Sequence, residues 1–332
     1  MSGTTTTVAL PAARLRLGLI LSRTGVLLAL IALLLFGWAR YDGFLGTYNV
    51  MAFLAYTAKY SLIALGMTFV IMTGGIDLSV GSVVALGSVV SALISPYGMT
   101  AGIAAGVGAG ALAGLLNGIA ISRLGILPFI ATLATMLACS GVALLLANNQ
   151  SVDASYESGF TNLGQGTLLS VPAPVWIAVA AFAIGSFVLN LLPLGRHVLA
   201  VGGGEEAARL MGLPVGRVKL IVYIVSGSLA GMAGVLLASE TGAGQPAEGA
   251  GWELIAIASV VVGGTLLTGG VGSVLASLTG ALLLGLIYNV LNFENGHGWI
   301  SLSAYWQSVA RGLFLLTVVI LQSRLNRRGE VQ

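Results

Sequence analysis

Few side chains in this 332-residue chain have the chemistry for a reactive or coordinating site. Within its apolar runs the ionisable residues are Lys59 and Arg311, with Asp77 at the edge of one. The chain has one cysteine, Cys139, and two histidines, His197 and His297. A zinc site needs three or four such ligands, and the two histidines fall in polar segments read below as lying on opposite membrane faces. No metal site is expected. No Ser/His or Asp/Asp pair shares an apolar run, so an intramembrane protease is not expected either. Gly202-x-Gly204-x-x-Ala207 has the spacing of a dinucleotide fingerprint. That motif works inside a βαβ unit of about 30 residues, which a polar segment at 193–217 between membrane helices does not supply. No Gly-x4-Gly-Lys-Ser/Thr occurs, so the chain carries no phosphate-binding loop. The expectation is a non-enzyme that binds no cofactor itself.

The positions left with chemical content lie around Met72-Thr73-Gly74-Gly75-Ile76-Asp77-Leu78-Ser79-Val80-Gly81-Ser82, between two long apolar runs. A carboxylate beside hydrocarbon costs about 2.5–3.5 kcal/mol at the bilayer centre. Asp77 therefore belongs at an interface or in a polar cavity. Gly74 and Gly75 suit a helix end, and Asp77 and Ser79 suit the start of the next helix. One reading makes Asp77 a cap, accepting from the N–H of Ser79 or Val80. The other makes Gly74, Gly75 and Asp77 a hinge or inner gate. Thr268-Gly269-Gly270 with Val271-Gly272-Ser273 echoes Thr73-Gly74-Gly75 with Val80-Gly81-Ser82, so Gly269 and Gly270 join the hinge candidates. Such an echo fits transporters built from repeated halves. Lys59 and Arg311 read as interfacial anchors, with Lys59 snorkelling outward.

Composition dictates the elements that hold these residues. The chain is 57% hydrophobic and 8% charged, against about 25% charged in soluble domains. Its mean hydropathy is +1.00. The apolar runs are continuous rather than alternating, which excludes a β-barrel. The fold class expected is all-α, a polytopic membrane bundle of about ten helices. The spans are about 20–39, 50–72, 79–95, 100–121, 126–147, 175–192, 218–238, 253–268, 274–291 and 302–321. The first is read as uncleaved. Both termini are placed in the cytoplasm, with tails at 1–19 and 324–332 flanking a transmembrane domain at 20–323. Eleven of the fourteen Lys and Arg then fall inside, all but Arg40, Lys59 and Arg311, as the positive-inside rule requires. The same rule explains the pI of 9.2 without nucleic acid. Span four has glycine at every fourth position from Gly98 to Gly118, a ladder for close helix packing against more than one neighbour.

Gly66 to Ser82 resembles the signature of the ribose/galactose-type permeases of bacterial ABC importers. So do Pro128-Phe129-Ile130-Ala131-Thr132-Leu133, Leu194-Gly195-Arg196 with Ala207-Ala208-Arg209-Leu210-Met211-Gly212, and Ala256 to Gly270. The motifs run in matching order from about residue 44 to 321. Asn292-Phe293 and Tyr305-Trp306 look closest to the galactofuranose-type members. The resemblance implies a second permease subunit, a copy or a paralogue, in the inner membrane. It implies a periplasmic sugar-binding protein and a cytoplasmic ATPase that holds ATP and Mg. It also implies that residues 193–217 touch the ATPase, through Arg196, Gly202, Gly203, Glu205, Glu206, Arg209 and Gly212. The outer segments 148–172 and 239–252 would face the binding protein. Sugar passage would need uncharged hydrogen-bonding groups, for which Asn117, Thr132, Thr135, Asn289 and Gln307 are the candidates. Polar residues in spans also bond neighbouring helices. Two positions depart from the family pattern, Gly204 (commonly Asn) and Ile255 (often Asp). The alternatives are an ion-coupled carrier or, within the family, import of another small polar solute.

Overall fold

The computed structural model describes residues 11–297 together with 306, 309, 312 and 313. The rest of the tenth expected span, including Gln307 and Arg311, and the C-terminal tail lie outside the described residues. The long helices are α1 (Pro11–Arg40), α2 (Thr47–Met72), α3 (Val80–Ile94), α4 (Met99–Ser122) and α5 (Pro128–Leu146). A short β1 (Val152–Asp153), α6 (Asn162–Gln165), β2 (Thr167–Leu168) and β3 (Val171–Pro172) follow. Then come α7 (Ala173–Leu191), α8 (Pro193–Gly203), α9 (Glu205–Leu210) and α10 (Val215–Thr241). The described helices end with α11 (Trp252–Val262) and α12 (Val274–His297), after β4 (Ala243–Gly244). Seven helices are long and apolar enough to cross a membrane: α2, α3 with its following turn, α4, α5, α7, α10 and α12. The fold is a polytopic helical membrane bundle.

The expected eighth span is corrected. α11 has 11 residues, a rise of about 16 Å, half of a hydrocarbon core of about 30 Å. Gly264 ends it with φ +88°. The Thr265 N–H donates back to Val260 O and the Gly264 N–H to Val261 O, a left-handed helix stop. Residues 263–273 continue as non-helical chain to α12. The polar segment at 193–217 folds as two helices, α8 and α9, rather than a loop.

The glycine ladder packs α4 mainly on α10. A methyl at Gly110 would lie 2.2 Å from Gly227 O, and one at Gly227 would lie 2.2 Å from Gly110 O. A methyl at Gly231 would lie 2.6 Å from Gly106 O, and Gly102 and Gly106 also meet α3 at Ser91 and Gly87. Small residues let the backbones approach where lipid gives no hydrophobic drive between helices. α2 is enclosed by α7, α10, α11 and α12, and its residues 57–72 are all buried.

Candidate functional site: a glycine junction beneath a buried carboxylate

α2 ends at Gly74, whose φ of +78° places it in the left-handed region. The Gly75 N–H donates to Val70 O at 3.2 Å and the Gly74 N–H to Ile71 O at 2.9 Å. This is the stop found at the end of α11, so the two joints share one construction. The structural partner of Gly74 is Gly264, not Gly269, because the echoed sequences align with one extra residue in the second copy. Thr268-Gly269-Gly270 lies farther along and turns back onto the first joint. The Gly270 N–H donates to Met72 O at 3.0 Å. A methyl at Gly269 would lie 2.7 Å from Gly74 N.

The end of α8 closes this junction. A methyl at Gly202 would lie 1.8 Å from Met72 O and 2.4 Å from Gly270 N, whereas Gly203 has nothing within 4 Å. Three segments distant in sequence thus meet backbone to backbone: the ends of α2 and α8, and the turn at 268–270. Gly74, Gly75, Gly269, Gly270 and Gly202 are brought together. Gly203 also borders the junction, its Cα 2.8 Å from where a methyl at Gly270 would lie, while its own Cβ position is open. Away from the junction, Arg196, Glu205, Glu206, Arg209 and Gly212 are exposed. Leu210 and Met211 stand out beside them, 84% and 70% exposed.

Asp77 is buried within the protein, 1% exposed. Its Oδ1 accepts the Ser79 N–H at 3.0 Å and the Ser79 hydroxyl at 2.6 Å, and its Oδ2 accepts the Ser226 hydroxyl at 2.9 Å. The N–H bond comes from the residue named in the capping reading. The helix, however, begins at Val80 with Ser79 as its flanking residue, so Asp77 braces the turn ahead of α3. The network continues: Asn117 Nδ2 donates to Ser79 Oγ at 2.9 Å, and the Thr135 hydroxyl donates to Asn117 Oδ1 at 2.6 Å. Ser226–Asp77–Ser79–Asn117–Thr135 therefore links α10, the α2–α3 joint, α4 and α5. Each member satisfies another, which is how a polar group persists in an apolar interior.

This accounts for most of the uncharged candidates. Asn117 and Thr135 are in the network. Thr132 is fully buried and donates to Pro128 O at 2.8 Å within its own helix. Asn289 and Asn49 exchange amide hydrogen bonds of 2.8 and 3.1 Å between α12 and α2. Lys59 does not snorkel. It is 3% exposed and ion-paired to Glu240 near the end of α10, with its ammonium 5.5 Å from the Tyr56 ring centre. An unpaired ammonium at that depth would cost several kcal/mol, and Glu240 is near enough to remove that cost. The sequence did not point to Ser226, Tyr223 or Glu240 as partners. Ser226 and Glu240 stand out in α10 only as polar residues in an apolar run.

Below Gly74 and Gly75 opens a cleft of about 480 Å³, walled by Thr73, Arg123, Pro128, Arg209, Lys219 and Tyr223 among others. Glu205 reaches into it, 2.6 Å from the Lys219 ammonium and 3.1 Å from Arg209. The Lys219 hydrogen bond holds the Glu205 carboxyl below its usual range, aided by both positive charges against partial burial. Tyr223 donates to Ile76 O at 3.3 Å and roofs the cleft under the joint. Among the described residues no group of three or more His, Cys, Asp or Glu converges to hold a metal.

The family model for the branched-chain amino acid transport system / permease component matches residues 49–319. The chain belongs to that permease family. It is similar to the ribose import permease protein of Bacillus subtilis, at 39% identity covering 92% of this chain and 94% of the relative. The corresponding Haemophilus influenzae protein is 35% identical, covering 84% and 86%. The L-arabinose transport system permease protein of Escherichia coli is 41% identical, covering 78% and 77%. No solved structure matches. These relatives and the seven apolar helices make the chain a multi-pass transport subunit of the inner membrane, not itself an enzyme.

Proposed function

We propose that this chain is the permease of an ATP-driven ABC importer for a monosaccharide delivered by a periplasmic binding protein. The relatives named for ribose and L-arabinose support the substrate class. The observation that carries the mechanism is the contact of Gly202 with Met72 and Gly270. It ties an exposed helix pair, α8–α9, to the joints of two broken membrane hairpins. An ATPase gripping Glu206, Arg209, Leu210 and Met211 would move Gly202, and with it the turns that close the inner end of the pathway. The chain holds no cofactor in this reading; ATP and Mg sit in the partner. A second permease subunit supplies the other wall, lipid surrounds the rest, and ten spans leave both termini in the cytoplasm. Nucleic acid has no part in it.

Copurification tests the docking. Leu210→Asp with Met211→Asp should leave the permease in the membrane but lose its ATPase. Retention of the ATPase by that variant would remove the assignment of α8–α9. The buried Lys59–Glu240 pair is the observation that favours an ion-coupled carrier, since relays use such groups. In the importer reading it is a structural brace, and uptake driven by a proton or sodium gradient by the permease alone would decide for the carrier.

A further inference from the structure

The segment between α10 and α11, Gly242-Ala243-Gly244-Gln245-Pro246-Ala247-Glu248-Gly249-Ala250-Gly251, is not an external loop. At its upper end a methyl on Gly244 would lie 2.8 Å from Val89 Cα and 3.0 Å from Ala92 Cβ, and the Gln245 N–H donates to Ser88 Oγ at 2.9 Å. At its lower end a methyl on Gly249 would lie 2.2 Å from Gly81 O. The chain therefore descends along α3 from about residue 89 to residue 81, about 12 Å of helix, through a run of turns at residues 246–251. α3 with its turn, Val80–Tyr97, has the length of a membrane span. The contact zone thus lies inside the hydrocarbon depth. α11 begins only at Trp252 because this strip of turns takes the place of its upper half-span.

Gly244, Pro246 and Gly249 are buried, Gly244 and Gly249 against α3, while Ala247, Glu248 and Ala250 are exposed. Among the described residues Glu248 has no ion pair. Lipid cannot solvate its carboxylate, and irregular backbone at membrane depth occurs only where it lines water or is buried in protein. Trp252 packs on Tyr60 at 4.3 Å, and Tyr60 packs on Tyr56, which is 39% exposed, giving an aromatic platform beside the strip.

Resting on the importer reading above, we propose that residues 245–250 form a sugar-contact strip on the wall of the translocation pathway. The Glu248 carboxylate accepts sugar hydroxyl hydrogens and the Gln245 side-chain amide donates to a hydroxyl oxygen, its own oxygen being held by the Ser151 hydroxyl at 3.1 Å. This acceptor and donor beside an aromatic platform suit a small polyhydroxylated solute. They place the permease's own substrate contacts on this strip rather than on the buried amides and hydroxyls of the helices.

The test uses the assembled transporter in vesicles, with binding protein and ATPase. Ala247→Cys and Ala250→Cys, each made with Cys139→Ala, are exposed to a charged thiol reagent and compared with Leu137→Cys on the exposed apolar face of α5. The strip cysteines should react at least tenfold faster than Leu137→Cys, and their modification should block uptake of ribose, L-arabinose or whichever monosaccharide the unmodified transporter carries. Glu248→Gln should raise the KM for that sugar about tenfold while ATP hydrolysis stimulated by the binding protein persists. Strip cysteines as inert as Leu137→Cys in a transporter that takes up sugar overturn the proposal. So does modification without effect on uptake, or a Glu248→Gln variant of unchanged KM. If the unmodified complex takes up no monosaccharide, the importer reading fails instead, and the reactivity comparison still reports whether the strip meets water.

Discussion

Replacing Gly202 with alanine isolates the junction from everything else in the coupling segment. The new methyl would lie 1.8 Å from Met72 O, so the end of α8 must withdraw by about 1.2 Å to reach the 3.0 Å below which real Cβ contacts essentially never fall. Overpacking of this kind costs about 1–3 kcal/mol. That equals the roughly 1–3 kcal/mol typical of coupling between sites. The importer with Gly202→Ala should therefore still assemble, bind its ATPase and hydrolyse ATP, yet consume at least tenfold more ATP per sugar taken up. Gly203→Ala is the internal control, because nothing stands within 4 Å of its added methyl, and its ratio should stay within twofold of the parent. The assay is paired uptake and phosphate release in proteoliposomes, on complexes matched by size-exclusion recovery. A parental ratio for Gly202→Ala would refute the reasoning that the junction transmits movement.

Other perturbations follow from the same contacts. Asp77→Asn keeps an oxygen for the Ser79 N–H and should melt within a few degrees of the parent, whereas Asp77→Leu strands buried donors at about 1–3 kcal/mol each and should melt well below it in detergent; equal melting would sink the bracing role. Glu240→Gln leaves Lys59 buried without its anion and should destabilise by about 3 kcal/mol, more than Lys59→Met, because Glu240 is 34% exposed and can turn to water; the reverse order would contradict the pairing argument. Glu205 has its folded pKa held below the unfolded value by Lys219 and Arg209. Its contribution is full above the unfolded pKa, about 4.3, and is lost as pH falls through the lower folded value, so hydrogen exchange in α9 should rise only in acid and be pH-insensitive there in Glu205→Gln. Gly110→Val should abolish membrane accumulation, since Gly227 O would lie 2.2 Å from the first added carbon; normal accumulation would mean that α4 and α10 do not meet this way.

The helices were legible because lipid leaves the sequence little choice: apolar runs longer than about 18 residues must span. Where the runs were shorter, local signals misled. Residues 253–268 read as one span because Leu266 and Leu267 extend the apolar run past Gly263-Gly264, yet those glycines stop the helix at Val262. The strip at 242–251 read as an external loop because glycine and glutamate suit one, and only its packing on α3 shows its depth. The hinge glycines were legible as turns, but their meeting with Gly202 depends on long-range packing that no local pattern encodes. Lys59 and Glu240 are 181 positions apart, and a lone lysine in a span carries no pointer to its partner. The galactofuranose likeness gains nothing from the ribose and arabinose relatives.

Sugar uptake by vesicles holding the permease alone, against vesicles holding permease, ATPase and binding protein, tests most directly that energy enters through α8–α9. Uptake should require all three proteins and ATP and be indifferent to proton and sodium gradients. Gradient-driven uptake by the permease alone would contradict it.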